Sequence, residues 1–218
     1  MQFLYNENAK NELISLENED FKHLKARRVK ENECLKLSNL QDDFLYLYKI
    51  SKLNKNSCIL ELLSKEKSHQ KQSKLKLALG VIDVKILEKT LPFLNELGVL
   101  KLFLVFTEFS QRNFKISLQR LDKIIIQSCQ QCGRVQKMQI ELFESVKEFH
   151  AKFSDAILLD FGAENSENFS EDEIYFIGCE GGFSESERKL FQRKISLKTD
   201  NILKAQTAII GVASKILL

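Results

Sequence analysis

Proline is almost absent from this chain of 218 residues, since Pro92 is the only one, and no long apolar run is present. No stretch approaches the roughly 20 consecutive apolar residues that a membrane-spanning helix requires. The first residues, Met1–Glu7, lack a basic region followed by an apolar one, which argues against a secretory signal peptide. We therefore expect a cytoplasmic protein that does not associate with a membrane.

The five cysteines form no pattern that predicts disulfides. An odd and scattered set is typical of a protein in a reducing compartment. Cys129 and Cys132 have the spacing of a metal-ligand pair, but a structural zinc needs two further ligands. No second pair of cysteines or histidines at ligand spacing is present, so we predict no metal site.

The net charge of +3 is concentrated in the first third of the chain. Residues 1–74 hold 14 lysines and arginines and 11 aspartates and glutamates, whereas the rest of the chain holds equal numbers of each sign. Five cations fall close together in this part: Lys22, Lys25, Arg27, Arg28 and Lys30. Clustered cations favour a polyanion such as RNA. From charge alone, a solvated surface is an equally good interpretation.

The pattern of apolar residues changes near residue 70. Before that point, four short stretches are apolar or alternating and are separated by polar turns: residues 12–16, 34–37, 44–50 and 58–63. Short strands at regular spacing, with no long helix, predict a small β-barrel. The polar and basic stretch 64–73 is interpreted as a linker.

Beyond the linker, apolar strands alternate with periodic helices, which predicts a parallel α/β sheet. The predicted strands are residues 75–79, 100–106, 138–140, 156–160, 173–177 and 195–197. The predicted helices are residues 84–97, 118–131, 142–152, 184–192 and 202–217. Gly98 is suited to end the first helix. Pro92 is expected to kink that helix or to mark a later start.

A glycine-rich loop, Gly178-Cys179-Glu180-Gly181-Gly182, follows the apolar strand Ile174–Ile177. A capping box, Ser184-x-x-Glu187, opens the next helix. Ligands of parallel sheets bind beyond the carboxyl ends of the strands, and glycines let the backbone approach a ligand closely. The spacing matches neither the dinucleotide fingerprint nor the P-loop. Taken alone, the loop is equally well interpreted as a tight turn.

Two other strand-end loops lie in the last 65 residues, one after Ala156–Asp160 and one within Leu197–Asn201. Because the carboxyl ends of parallel strands meet at the same edge of a sheet, all three loops are expected to converge on one pocket. This convergence favours a binding site over a simple turn.

Several motifs occur in an order that resembles one known family. Ile177–Ser184 with Glu187 is similar to the motif I-G-P-E-G-G-[FL]-S-x-x-E, and Gln131–Arg134 is similar to Q-[CS]-G-R. Glu96–Val99 resembles E-L-G-V, and Leu197 with Ile202–Ala208 resembles L-G-x-x-[IV]-L-R-x-E-T-A. These motifs identify a resemblance to the bacterial 16S ribosomal RNA uridine N3-methyltransferase family (RsmE) of the SPOUT superfamily. An N-terminal element with His23, Arg28 and Val29 is similar to the family's H-x-x-x-V-L-R.

The resemblance implies an α/β fold, α+β over the whole chain, in two domains. Residues 1–70 would form a PUA-like β-barrel that binds RNA. Residues 71–218 would form a SPOUT methyltransferase domain with a deep trefoil knot at about residues 155–218. It further implies a homodimer, S-adenosylmethionine as cofactor, and methylation of a uridine N3 in 16S ribosomal RNA of the small subunit during ribosome biogenesis.

The resemblance also implies roles for single residues. The cofactor-binding residues would be Leu159, Phe161, Ile177, Gly178, Glu180, Gly181, Gly182, Leu197, Ile202 and Leu203. The catalytic residues would be Lys204, Gln206 and Thr207. The RNA-binding residues would be His23, Lys25, Arg27, Arg28, Lys30 and Arg134.

This chain departs from the family pattern at several of these positions. Cys179 replaces a proline, Lys204 and Gln206 replace an arginine and a glutamate, and Phe109 falls near an expected arginine. These replacements keep open a second interpretation, a non-catalytic or altered-specificity RNA-binding protein that acts in ribosome assembly. A methyltransferase for transfer RNA or ribose hydroxyls is a third.

Overall fold

The computed structural model describes residues 1–113, 115–164, 166 and 168–218, and within these the side chains of residues 19, 20 and 23 are not described. The chain forms two compact units. The first comprises residues 1–70 and 126–137, and the second comprises residues 71–125 and 138–218. The mixed α/β class is confirmed. In the described part of the chain, no helix is long and apolar enough to cross a membrane.

The first unit is built on a five-stranded sheet in the order β1-β3-β4-β5-β2. Its elements are β1 (Leu4–Tyr5), β2 (Leu13–Glu17), α1 (Asn18–Ala26), β3 (Cys34–Ser38), β4 (Phe44–Leu53) and β5 (Ser57–Lys67). β1 pairs with β3 in parallel, and the other pairs are antiparallel. Register shifts between Leu47 and Tyr48 and between Ile50 and Lys52 interrupt the β4–β5 ladder. Such irregularities bend and twist a strand, which helps a small sheet to curl around its core.

Two predictions for this unit need correction. Helix α1 was not expected, because only Phe21 and Leu24 supply buried apolar residues at helical spacing. The linker was expected to begin at residue 64, but β5 continues to Lys67, which lies opposite Phe44. The polar end of β5 pairs through its backbone while its side chains face solvent, so apolar periodicity gives no sign of it.

The second unit contains a six-stranded, wholly parallel sheet in the order β11-β9-β10-β6-β7-β8. Its strands are β6 (Lys76–Gly80), β7 (Lys101–Val105), β8 (Gln139–Phe143), β9 (Ile157–Leu159), β10 (Ile174–Ile177) and β11 (Lys194–Ile195). Its helices are α2 (Val84–Leu97), α3 (Leu118–Cys132), α4 (Val146–Lys152), α5 (Glu185–Leu190) and α6 (Ala205–Leu217). Residues of α3 from Ile126 onward belong to the first unit.

Helix α2 shows why some boundaries are readable from the sequence. Asp83 caps its start by accepting hydrogen bonds from the N–H groups of Lys85 and Ile86, and Gly98 ends it with a φ of 107°. Pro92 lies inside the helix, so of the two expected alternatives the later start is wrong. The bounds 84–97 are confirmed, because both termini carry residues with a local preference for that position.

Two helices in this unit begin clearly later than expected. A helix was expected over residues 142–152, but Leu142 and Phe143 finish strand β8, and α4 begins at Val146 after the N-cap Ser145. The last helix was expected from Ile202, but α6 begins at Ala205 and the three residues before it are extended or irregular. In both cases apolar residues lie on either side of the boundary, so periodicity alone could not locate the cap.

Candidate active site

Strands β9, β10 and β11 lie next to one another, with β9 in the middle, and all run in parallel. The segments that follow them therefore emerge at the same edge of the sheet. Together with the first turn of α6 they enclose a cavity of about 570 Å³. That volume lies within the range of small-molecule and cofactor sites, roughly 300–1,000 Å³. The expected convergence of three strand-end loops is thus found within the second unit.

The glycine-rich loop after β10 is a tight turn. The N–H of Gly182 donates to the carbonyl of Cys179 at 2.9 Å, and Gly182 has a φ of +70° that favours glycine. A Cβ on Gly178 would lie 3.0 Å from the Cα of Gly182. The turn therefore favours glycine at its first and last positions, where it presents backbone rather than a side chain to the cavity.

A second loop, residues Thr107–Ser110 after β7, supports this turn from behind. The Sγ of Cys179 lies 3.3 Å from the Oγ1 of Thr107. A Cβ added to Gly181 would lie 2.7 Å from the Cβ of Phe109. The hydroxyl of Ser110 donates to the carbonyl of Val81 at 3.0 Å, which ties the supporting loop to the end of β6. The glycine-rich turn is consequently held in one position.

Glu187 joins the same two loops. Its carboxylate accepts hydrogen bonds from the backbone N–H of Ser184 at 2.9 Å and of Glu108 at 2.8 Å. The hydroxyl of Ser184 in turn accepts from the N–H of Glu187, which completes the expected capping box. Glu180 lies within the loop and could hold it by accepting backbone hydrogen bonds, but it is exposed and its carboxylate makes no hydrogen bond within the described residues. Glu187 performs that role instead.

An ion pair lies in the cavity wall between the segment after β9 and helix α5. The Nε of Arg188 lies 3.1 Å from the Oδ1 and 3.0 Å from the Oδ2 of Asp160. The segment after β9 is also joined to the one after β11, because the hydroxyl of Ser196 donates to the carbonyl of Ala163 at 3.0 Å. These contacts fix the relative positions of the cavity-forming segments.

The third segment ends at Lys204, the N-cap residue of α6, which is exposed at the cavity. Gln206 and Thr207 follow in the first turn of the helix, but neither lines the cavity. The Oε1 of Gln206 is buried without a hydrogen-bond partner among the described residues. Thr207 is exposed. The structure thus brings one of the three expected catalytic residues to the cavity wall.

All ten residues expected to bind the cofactor line this cavity, namely Leu159, Phe161, Ile177, Gly178, Glu180, Gly181, Gly182, Leu197, Ile202 and Leu203. Sequence reasoning missed other lining residues, among them Asp160, Arg188, Ser196 and Thr199. The position of Asp160 at the end of a predicted strand was the one signal for it. Ligand binding by these residues stays a prediction.

The residues expected to bind RNA lie in the first unit. Lys25, Arg27, Arg28 and Lys30 are exposed, on α1 and the turn after it. Arg134 is half-buried, and burial lowers the pKa of its guanidinium. The side chain of His23 lies outside the described part of the chain. Among the described residues no group of three or more potential metal ligands is present.

Comparison with known proteins identifies the class of protein that has these features. A family model for an RNA methyltransferase domain matches residues 69–217, and one for an RNA methyltransferase PUA domain matches residues 16–63. A parallel sheet with a glycine-lined cavity, together with the curled sheet of the first unit, is thus the architecture of an RNA methyltransferase.

Relatives and solved structures narrow that class. The chain is 42% identical to ribosomal RNA small subunit methyltransferase E of Helicobacter pylori, with 98% of each chain covered. It resembles the crystal structure of the Neisseria gonorrhoeae enzyme of the same name bound to S-adenosylmethionine, with a TM-score of 0.84 and 22% identity over 98% of this chain and 95% of that one. A Legionella pneumophila methyltransferase with bound S-adenosylmethionine gives a TM-score of 0.79 at 23% identity, over 97% of this chain and 94% of that one. The chain belongs to the ribosomal RNA small subunit methyltransferase E family.

Proposed function

We propose that this chain transfers a methyl group from S-adenosylmethionine to N3 of a uridine in 16S ribosomal RNA of the small subunit. The observation that carries the proposal is the single cavity formed by three strand-end segments, whose walls include every residue expected to bind the cofactor. The name of the 42% identical relative supports the choice of small-subunit ribosomal RNA.

The residues present fit an adenosine-type cofactor. Apolar side chains line the cavity, including Leu159, Ile177 and Leu197, and offer surfaces for a purine ring. The backbone of the loop at Gly178–Gly182 lies open to the cavity because its glycines carry no side chains. Two acidic residues, Asp160 and Glu180, add acceptors. When bound, S-adenosylmethionine supplies an electrophilic methyl group, so the protein needs no nucleophile of its own.

Lys204 stabilises the negative charge that develops on the uridine when its N3 proton leaves. The ammonium group is exposed at the cavity and has no ion pair among the described residues. The N-terminus of the 13-residue helix α6 begins at the next residue and adds a positive partial charge. Fixed positive groups aimed at a developing oxyanion are among the largest contributions to catalysis.

Glu180 is the candidate acceptor for the uridine proton. Glu180 lines the cavity and is exposed, and Glu187 rather than Glu180 holds the loop together. The other acidic side chain of the cavity, Asp160, is engaged by Arg188. Gln206 does not serve as a base, because an amide takes up no proton at neutral pH.

The remaining proposals rest on the family resemblance. Residues 1–70 act as the RNA-binding domain, with the exposed cations Lys25, Arg27, Arg28 and Lys30 as the phosphate-contacting group. Residues 71–218 act as the methyltransferase domain with a knot near residues 155–218. The protein works as a homodimer in the cytoplasm, and light scattering of the purified chain measures that oligomeric state.

The test is methyl transfer from labelled S-adenosylmethionine to isolated small subunits and to naked 16S RNA. Wild-type protein is expected to label one uridine, and Lys204→Ala to lower turnover about 100-fold while changing cofactor affinity less. Equal activity of the variant would remove Lys204 from the mechanism. Cofactor binding without any transfer would favour the second candidate, a non-catalytic RNA-binding protein, to which Lys204 and Gln206 point as replacements of the family residues.

A further inference from the structure

Arg188 is a cation of the cavity wall whose side chain is held by an ion pair. It lies on helix α5, and its Nε contacts both carboxylate oxygens of Asp160, at 3.1 and 3.0 Å. The Asp160 side chain is only 12% exposed, whereas the Arg188 side chain is 41% exposed. The carboxylate of the pair is therefore mostly buried, whereas the guanidinium remains accessible to a ligand. Both residues line the cavity.

The ion pair leaves most donors of the guanidinium available. An arginine carries five N–H groups, and the contact with Asp160 uses the one on Nε. Within the described residues, no other hydrogen bond of the Arg188 side chain is present. One of its terminal nitrogens lies 3.8 Å from where a Cβ on Gly182 would be. The available donors are thus beside the glycine-rich turn.

Lys204 is the other cation of the cavity wall, and it differs in kind. Its ammonium ends a flexible chain of four carbons that no partner holds among the described residues. A guanidinium fixed by a carboxylate is pre-organised and matches a carboxylate ligand with two parallel hydrogen bonds. The cavity wall therefore contains a flexible ammonium group, that of Lys204, and an oriented guanidinium group, that of Arg188.

We propose that Arg188 binds the α-carboxylate at the amino-acid end of the cofactor and that Asp160 is the positioning residue that orients Arg188. The proposal rests on the proposed function. S-Adenosylmethionine carries two positive groups, the sulfonium and the ammonium, and the carboxylate is its one anionic group. An anchored arginine thus selects nucleosides that carry the amino-acid tail over those that lack it.

The test compares two ligands that differ in that tail. S-Adenosylhomocysteine carries the α-carboxylate, and 5′-methylthioadenosine has the adenosine and the sulfur without it. Calorimetry on wild-type protein and on Arg188→Met measures both dissociation constants. We expect Arg188→Met to weaken S-adenosylhomocysteine binding about 10-fold or more and to leave 5′-methylthioadenosine binding unchanged. Arg188→Lys keeps the charge and loses the planar guanidinium. Its affinity for S-adenosylhomocysteine is expected to lie between those of the wild type and Arg188→Met.

Arg193→Met is the matched control. Arg193 forms an ion pair with Glu173 at 2.6 Å in the same unit and does not line the cavity. Its removal is expected to change neither dissociation constant. Asp160→Asn is expected to weaken S-adenosylhomocysteine binding by a smaller factor than Arg188→Met, because the guanidinium stays but loses its orientation.

Three results would overturn the proposal. Equal weakening of both ligands by Arg188→Met would show a general effect on the cavity. Unchanged binding of both, with or without a loss of RNA affinity, would place the carboxylate elsewhere. A selective loss in Lys204→Met instead of Arg188→Met would assign it to Lys204. If the wild-type protein binds neither ligand, the proposed function itself fails, which is distinguishable from all three.

Discussion

The carboxylate of Glu187 accepts a hydrogen bond from the backbone N–H of Glu108, with the two atoms 2.8 Å apart. The same carboxylate accepts from Ser184 at 2.9 Å, and the residue is 8% exposed. A single buried side chain thereby connects the loop after β7 to the helix that follows the glycine-rich turn. Since 79 residues separate the two partners, this contact depends on the complete fold of the second unit.

Glu187→Gln is expected to destabilise the protein by about 1–3 kcal/mol, because the amide NH2 would face a backbone N–H and leave it without an acceptor. Denaturant unfolding measures the loss. Glu185→Gln is the control, since Glu185 is 83% exposed and its one ion pair among the described residues is with Lys189 on the helix surface. Equal effects of the two variants would show that the connection through Glu187 contributes no stability.

Gly181→Ala is expected to weaken cofactor binding by displacing the glycine-rich turn, because the new methyl group would lie 2.7 Å from the Cβ of Phe109. Gly181→Val extends the same effect. The double variant Gly181→Ala with Phe109→Gly removes the colliding atoms and is expected to recover much of the affinity measured by calorimetry.

This rescue separates two explanations. If the methyl group instead blocked the approach of the ligand to the backbone, as the sequence alone suggested, deleting the Phe109 side chain would restore nothing. Gly211→Ala is the control, since among the described residues no heavy atom beyond its chain neighbours and the backbone of its own helix lies within 4 Å of a Cβ at that position. Gly211 is in helix α6, where alanine is the better helix former, so Gly211→Ala is expected to raise the stability of the folded protein slightly.

The sequence predicted the parts of the site that have local signals and missed the contacts between residues that lie far apart in the chain. The strand-end loops were predicted because parallel strands share an edge, and all ten cofactor residues line the cavity. The pairing of Asp160 with Arg188 could not be predicted, because 28 residues separate them and either could face solvent. The support of Cys179 by Thr107 crosses 72 residues and has no local signature.

The prediction of the fold was limited in the same way. Helix α2 was predicted at its observed bounds because Asp83 and Gly98 are local signals at its ends. Helix α1 was missed because its nine residues carry few apolar side chains, and it is stabilised by packing of Phe21 and Leu24 into the core of the first unit. Tertiary packing, rather than local preference, decides such short helices.

The deprotonation of Tyr175 is expected to make the folded protein less stable in alkaline solution. Burial, with a contribution from the hydrogen bond that its hydroxyl donates to Glu173, raises the pKa of Tyr175 to about 12. The folded pKa lies above the usual value of 10.0, so the folded state holds the proton more tightly. The stabilisation is complete below pH 10 and is lost as the pH rises toward 12.

The expected loss from Tyr175 is about 2–3 kcal/mol over that interval. Thermal unfolding of wild type and Tyr175→Phe, followed between pH 9 and about 12, measures it. The variant is expected to be less stable at pH 9 and to lose less stability on going to higher pH. Parallel curves for the two proteins would contradict a raised pKa at this residue.

Arg28→Glu is expected to weaken RNA binding and to lower the slope of log affinity against log salt concentration by about 1, because a phosphate contact is lost. Arg28 has a φ of 55°, and a glutamate there carries the same backbone strain, so folding is not expected to change. Lys36→Glu, at an exposed lysine of the first unit, is the control for net charge. Equal slopes for both variants and wild type would count against an RNA site at Arg28.

The most direct test of the proposed function is mass-spectrometric mapping of methylated uridines in 16S ribosomal RNA from cells with and without this gene. We predict that one N3-methyluridine disappears on deletion, returns with the wild-type gene, and is strongly reduced when the gene carries Lys204→Ala. An unchanged set of methylated uridines after deletion would contradict the assignment of this chain as the uridine methyltransferase.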